Sequence, residues 1–155
     1  MTPRPLIQAV AARVVLCTLA TLLWIKISVA ASVVITEQQA LNFGPIIAYI
    51  TQDIVIPPTD SGAAVFDITG DAYAQISVDV TNNRVTMTTG TGNGNTKKIV
   101  VNQWSYGGNV DSSGLGSLDQ FGALTNIRIG ATAAVKSSNI PGSYSGSGTV
   151  RIIYQ

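Results

Sequence analysis

From residue 32 onward, apolar and polar positions alternate in short stretches, and the period is close to two. A period of two places successive side chains on opposite faces of an extended chain, so each stretch reads as a β-strand with one buried face. The clearest is AQISVDV at 74–80, with Ile76, Val78 and Val80 inward. The pair Asn82-Asn83 is a turn signal, and RVTMTT at 84–89 resumes the alternation with Val85 and Met87 inward. Residues 74–89 are therefore expected to form a β-hairpin. KKIVVNQWSY at 97–106 reads as the next strand, and ALTNIRIGATAAV at 123–135 alternates through Ile127, Ile129 and Ala131. Strand pieces are also expected in SVVITE at 32–37, ALNFG at 40–44, IAYITQDIVIPP at 47–58 and AAVFDITG at 63–70.

The chain closes on GSYSGSGTVRIIYQ at 142–155. Tyr144, Gly146, Gly148, Val150, Ile152 and Tyr154 share one face of this stretch, and Ser143, Ser145, Ser147, Thr149 and Arg151 share the other. Two glycines on the inward face of a strand are unusual, because glycine has no side chain to pack. Between the strands, IPPTDSG at 56–62, TGTGNGN at 89–95, GGNVDSSGLGSLDQFG at 107–122 and KSSNIPGS at 136–143 are rich in turn residues and read as loops. Long stretches with a helical period are missing. Many short strands bounded by Gly, Asn, Asp and Pro indicate an all-β sandwich or barrel.

The first thirty residues do not share this pattern. Arg4 and Arg13 lie in a basic start, VVLCTLATLLWI runs apolar from Val14 to Ile25, and small residues occupy 28–32. This is the layout of a secretory signal peptide, with cleavage after Ala30 or Ala31. The competing reading is a retained membrane anchor, but the apolar run is short against the roughly 20 residues of a bilayer span, and Lys26 interrupts its end. The expected organisation is a signal peptide at 1–30 and one domain at 31–155, exported to the periplasm, cell surface or medium and free of the membrane after cleavage.

Setting the leader aside changes the charge. The whole chain carries nine Lys plus Arg and eight Asp plus Glu. Arg4, Arg13 and Lys26 belong to the leader, so the remainder has six cations and eight anions, a balance of −2. With no extended basic patch along the sequence, nucleic-acid binding has no electrostatic support. The chain has no histidine, and its single cysteine, Cys17, lies in the leader. No disulfide can staple the exported domain, so stability must come from its core. The 155 − 30 = 125 residues that follow the leader suffice to build one.

The same absences remove most enzyme chemistry. Without histidine or cysteine there is no Ser–His pair, no Cys–His pair and no ordinary zinc set, and no cofactor or metal site is expected. Paired carboxylates are the surviving catalytic option. Glu37 is the only glutamate; Asp67 and Asp71 flank a turn, and Asp60, Asp111 and Asp119 sit in loops, where aspartates ordinarily cap turns. TGTGNGN lacks the GK[ST] ending of a phosphate loop, and DSSGLGSLD at 111–119 does not follow the spacing of a calcium-binding loop. The expectation is a non-enzyme. Trp104, Tyr106, Tyr144 and Tyr154 are candidates for a sugar-stacking platform, with Trp104, beside Gly107 and Gly108, foremost, against the commoner role of aromatic residues as core.

LNFG at 41–44, FDITGDAYAQISV at 66–78 and GSYSGSGTVRIIYQ at 142–155 together resemble an uncharacterised bacterial family of secreted β-sandwich domains. The resembling positions are Leu41, Asn42, Phe43 and Gly44, then Phe66, Ile68, Gly70, Ala74 and Val78, and finally Gly142, Tyr144, Gly146, Val150, Ile152 and Tyr154. The same ending is similar to that of chaperone–usher pilus subunits and spore-coat-U-like domains. That resemblance implies an immunoglobulin-like sandwich of about seven strands that lacks one strand. It implies a periplasmic chaperone, an usher and neighbouring subunits as partners. It also implies strand complementation beside Tyr144, Gly146, Gly148, Val150, Ile152 and Tyr154, where the glycines would leave room for an incoming side chain. The chain departs from the pilin pattern before its first strand. SVVITEQQ at 32–39 is either a donor arm or that first strand, and as an arm it would place Glu37 and Gln39 at apolar positions. Two functions stand against each other: a pilin-like structural subunit, or a free-standing secreted binding module, with a glycan as its candidate ligand.

Overall fold

The computed structural model describes residues 32–90 and 94–155. The leader expected at 1–30 lies outside them. Nine strands form among the described residues, arranged as two antiparallel sheets in a sandwich. They are β1 (Val34–Gln39), β2 (Gln52–Ile56), β3 (Ala64–Thr69), β4 (Gln75–Val80), β5 (Val85–Thr88), β6 (Lys98–Gly108), β7 (Leu115–Ser117), β8 (Ala123–Val135) and β9 (Val150–Tyr154). The all-β sandwich is as expected, with nine strands in place of about seven.

The larger sheet runs β1-β3-β8-β6-β5, and β2 joins it on β8. The thirteen-residue β8 is its axis. Its first part pairs with β3 and its last part with β2, while β6 pairs along its other edge. Clean alternation in the sequence follows from that position: Ile127, Ile129, Ala131, Ala133 and Val135 are all buried. The smaller sheet has only three strands, in the order β7-β4-β9. Ile76, Val78 and Val80 of β4 are buried against the larger sheet.

The expected hairpin over 74–89 does not form. Asn82 and Asn83 do adopt the positive φ that a tight hairpin turn requires, 64° and 46°. Yet β4 pairs with β7 and β9 in one sheet, and β5 pairs with β6 in the other. The turn carries the chain across the sandwich instead of back along the same sheet. The two asparagines set the turn, and strands distant in sequence set the partner. Four further expectations change. Residues 40–44 form no strand; of 47–58 only β2 is a strand; the loop at 107–122 contains the short β7; and the closing strand is confined to Val150–Tyr154.

Candidate functional site

Three strands cannot cover the inner face of a six-stranded sheet. Where the smaller sheet gives out, a groove of about 560 Å³ opens. Phe66 of β3, Ile129 of β8, Val101 and Trp104 of β6, and Val85 and Met87 of β5 line it from the larger sheet. Ile35 and Glu37 of β1, with Leu41 and Phe43 after it, contribute further lining, and Gly146–Val150 complete it. The lining is mainly apolar. Glu37 is its only carboxylate.

Trp104 reaches this position through a bulge. Asn102 pairs with Thr132, but Ser105 pairs with Gly130, so β6 holds one extra residue opposite β8. Gln103 takes a φ of 52° and is exposed. The extra residue inverts the alternation: Ile99 and Val101 point inward before it, and Trp104 and Tyr106 point inward after it. Trp104 packs against both parts of the core, and its Nε1–H is buried without a partner among the described residues. Tyr106 packs into the core beside β4. Burial raises its phenol above the ordinary tyrosine range, with Asp79 adding to the effect and a hydrogen bond to the Val80 backbone working against it. Both aromatics are thus directed between the sheets, so they do not form an outward platform.

The second feature of the site is the free edge of β9. Gln155 N–H donates to Gln75 O at 3.0 Å, and Thr81 N–H donates to Thr149 O at 2.9 Å. These bonds fix the ladder: odd-numbered residues of β9 turn their backbone groups to β4. Val150, Ile152 and Tyr154 therefore turn theirs to the opposite edge, where no strand lies among the described residues. The same three residues face inward in register with Val80, Val78 and Ile76.

The structure divides the six residues expected to act together. Gly146, Gly148 and Val150 line the groove. Ile152 packs in the core. Tyr154 reaches the far end of β4, where its hydroxyl accepts the Asp71 N–H at 3.2 Å. Tyr144 anchors the preceding turn, donating its hydroxyl to Ile140 O at 2.7 Å. The glycines have a cause closer to home than an incoming side chain. Ser145 bridges to Thr88, which lays the following residues along β5. A Cβ on Gly146 would stand 2.7 Å from Thr86 O, and one on Gly148 would stand 2.8 Å from Val85 Cγ2. Close approach to β5 of the same chain accounts for both. This reason was not visible in the sequence, where the two segments are some sixty residues apart.

The loop aspartates are occupied structurally. Asp111 Oδ1 accepts the N–H groups of Ser113 and Leu115, and Asp119 Oδ1 accepts those of Phe121 and Ala123. The two loops share one plan, with Gly114 and Gly122 at positive φ three residues after each aspartate. Asp67 Oδ1 accepts the Asn126 N–H at 2.9 Å. No group of three or more metal-binding side chains gathers among the described residues.

The fold and groove define an antiparallel β-sandwich with an exposed edge strand over a partly uncovered apolar face. The chain belongs to the family described as a domain of unknown function (DUF4402), which matches residues 48–154. That span takes in eight of the nine strands and begins after Leu41–Gly44. No curated protein and no solved structure matches the chain.

Proposed function

We propose that the protein is an exported, non-enzymatic structural or surface subunit that accepts a β-strand from another polypeptide along the free edge of β9. The observation that carries this reading is that the free edge of β9 meets the groove at Val150. Unpaired N–H and C=O groups on an edge form a template for another strand. A strand docked there would extend the three-stranded sheet over apolar side chains that the smaller sheet leaves open. Similarity of the closing segment to chaperone–usher pilus subunits and spore-coat-U-like domains supports the same reading. In that setting the incoming strand comes from a periplasmic chaperone or a neighbouring subunit.

Two proline substitutions on adjacent residues test it. Val150→Pro removes an N–H from the free edge and leaves the ladder to β4 intact. Arg151→Pro removes an N–H from that ladder. With the leader removed and the protein recovered from cells, the wild type is expected to elute in complexes on size-exclusion chromatography. Val150→Pro is expected to elute as a folded monomer, and Arg151→Pro to lose thermal stability. A wild type that is only ever monomeric, or a Val150→Pro protein that assembles like the wild type, sinks the reading.

Trp104 favours one second reading. An unpartnered indole N–H beside a groove suits a small ligand that brings an acceptor, which would make the domain a binding module. In that case Val150→Pro leaves ligand binding unchanged, and Trp104→Phe weakens it.

A further inference from the structure

On the outer face of the larger sheet, away from the groove, lies a second cavity of about 570 Å³. Three cations line it: Arg84 just before β5, Lys98 at the start of β6 and Lys136 just after β8. The domain that follows the leader has only six cations, so half of them meet at this one place although its balance is −2. None of its eight carboxylates lines the cavity. Asp53 is the carboxylate that shares this face of β8, paired with Ala134 from the β2 side, outside the lining. No hydrogen bond or ion pair engages the side chains of Arg84, Lys98 or Lys136 among the described residues.

Strand register brings Lys98 and Lys136 together, with Arg84 on the other side of the cavity. Thr86 pairs with Val100 and Val100 pairs with Ala134, which sets a row of small side chains across three strands. Lys98 and Lys136 each lie two positions from that row, in the same direction across antiparallel strands, and so share its face beside one another. Like charges placed this way repel and destabilise a sheet. Among the described residues, no carboxylate lines the cavity to offset that repulsion. Val100 and Ala134 provide a floor without charge, while the Thr86 and Ser138 hydroxyls and the Asn95 amide add hydrogen-bond donors around it.

We propose that this cavity is a binding site for a tetrahedral oxyanion, a phosphate or sulfate group, either free or esterified to a polymer. Three cations and several neutral donors match the charge and the acceptor-rich surface of such a group. The anion relieves the Lys98–Lys136 repulsion, so binding stabilises the fold. This site is independent of strand acceptance at β9, and either proposal stands if the other fails.

The test uses the exported domain at low ionic strength, where exposed charges are least screened. Inorganic phosphate, inorganic sulfate and a heparin-derived tetrasaccharide are titrated separately. Amide NMR shifts report the site, and melting temperature reports the linkage. At least one probe is expected to move the amides of Thr86, Lys98 and Ala134 saturably and to raise the melting temperature. Binding by the tetrasaccharide alone assigns the site to an ester on a polymer; binding by phosphate or sulfate as well shows that the free ion suffices. The double variant Lys98→Gln/Lys136→Gln is expected to weaken binding by at least on the order of tenfold. Without any anion it is expected to melt no lower than the wild type, because it removes the repulsion. Lys97→Gln, one residue from Lys98 but outside the cavity, serves as the control. The proposal is overturned if no probe shifts these amides, if the double variant binds as the wild type does, if Lys97→Gln costs as much as the double variant, or if the double variant is less stable without anion.

Discussion

The core has two parts, and they are covered in different ways. In one, Ile68, Ile127 and Ile129 of the larger sheet meet Ile76, Val78 and Val80 of β4. Both partners are strands, and both show alternation in the sequence. In the other, Ile99, Val101, Ala131, Ala133 and Val135 belong to β6 and β8, and much of their cover comes from Leu41, Phe43, Ile46 and Tyr144, which lie outside any strand. Strand on strand gives a cover of fixed register with interdigitating side chains. Irregular chain gives isolated anchors with gaps between them, and the groove lies where such a cover meets the end of the smaller sheet.

Substitutions should separate the two parts. The largest effect is expected from Ile127→Ala in the strand-covered part, about 2–5 kcal/mol of unfolding free energy, because a fully buried isoleucine leaves a cavity that two sheets cannot close. Denaturant titration measures it, and a loss under about 1 kcal/mol would mean that this part is as adaptable as the other. Next comes Asn139, buried beneath the turn that precedes Tyr144. Its Oδ1 accepts the Lys136 N–H at 2.7 Å, and its Nδ2 donates to Lys98 O at 2.9 Å and to Thr96 O at 3.2 Å. Asn139→Ala strands these backbone groups and is expected to cost about 1–3 kcal/mol.

Phe43→Ala, in the irregular cover, is expected to cost about 1–2 kcal/mol, since Phe43 is only half-buried and the groove beside it already admits solvent. A cost equal to that of Ile127→Ala would erase the distinction between the two parts. Tyr106→Phe tests the junction through pH. The folded protein holds the Tyr106 phenol above its ordinary value, so it favours the protonated form; the stability this brings is present below the ordinary value of 10.0 and is lost as pH rises through the folded value. Melting curves taken across alkaline pH should fall less steeply for Tyr106→Phe than for the wild type. The smallest effect is expected from Arg151→Gln, which breaks the exposed pair with Asp79 at 2.9 Å and should cost between zero and about 1 kcal/mol.

The sequence was most legible where one physical constraint acted alone. Ile127, Ile129 and Ala131 sit on a strand with neighbours on both edges and one face toward the core, so burial and period agree. Legibility failed where a second constraint intervened. At Asn82-Asn83 the backbone turns as the residues demand, but β9 and β7 occupy both edges of β4 and leave β5 to pair elsewhere. At Gln103 one inserted residue reverses which side chains face inward, so a single parity along 97–106 could not place both Val101 and Trp104. For the candidate site, Gly146, Gly148 and Val150 were found through their alternation. The residues that β1, β3, β5 and β6 bring to the same groove have no common signal in sequence, because only the paired sheets assemble them. The second cavity was equally hidden: register sets Lys98 beside Lys136, and Arg84 lines the same cavity from the other side of the Thr86–Val100–Ala134 row.

The crossing between β4 and β5 has a consequence for the order of folding. Val80 finds its ladder partner in Val150, seventy residues later, and β4 also waits for β7. All six strands of the larger sheet are present once β8 has emerged, but its inner face lacks the cover of Val150 and Ile152 until β9 arrives. Contacts so distant along the chain place the domain among slow folders, on the order of milliseconds to seconds. During that interval the apolar face of the larger sheet is open to other chains. Of the nine described strands β9 emerges last, and its timing sets how long that part of the face stays adhesive.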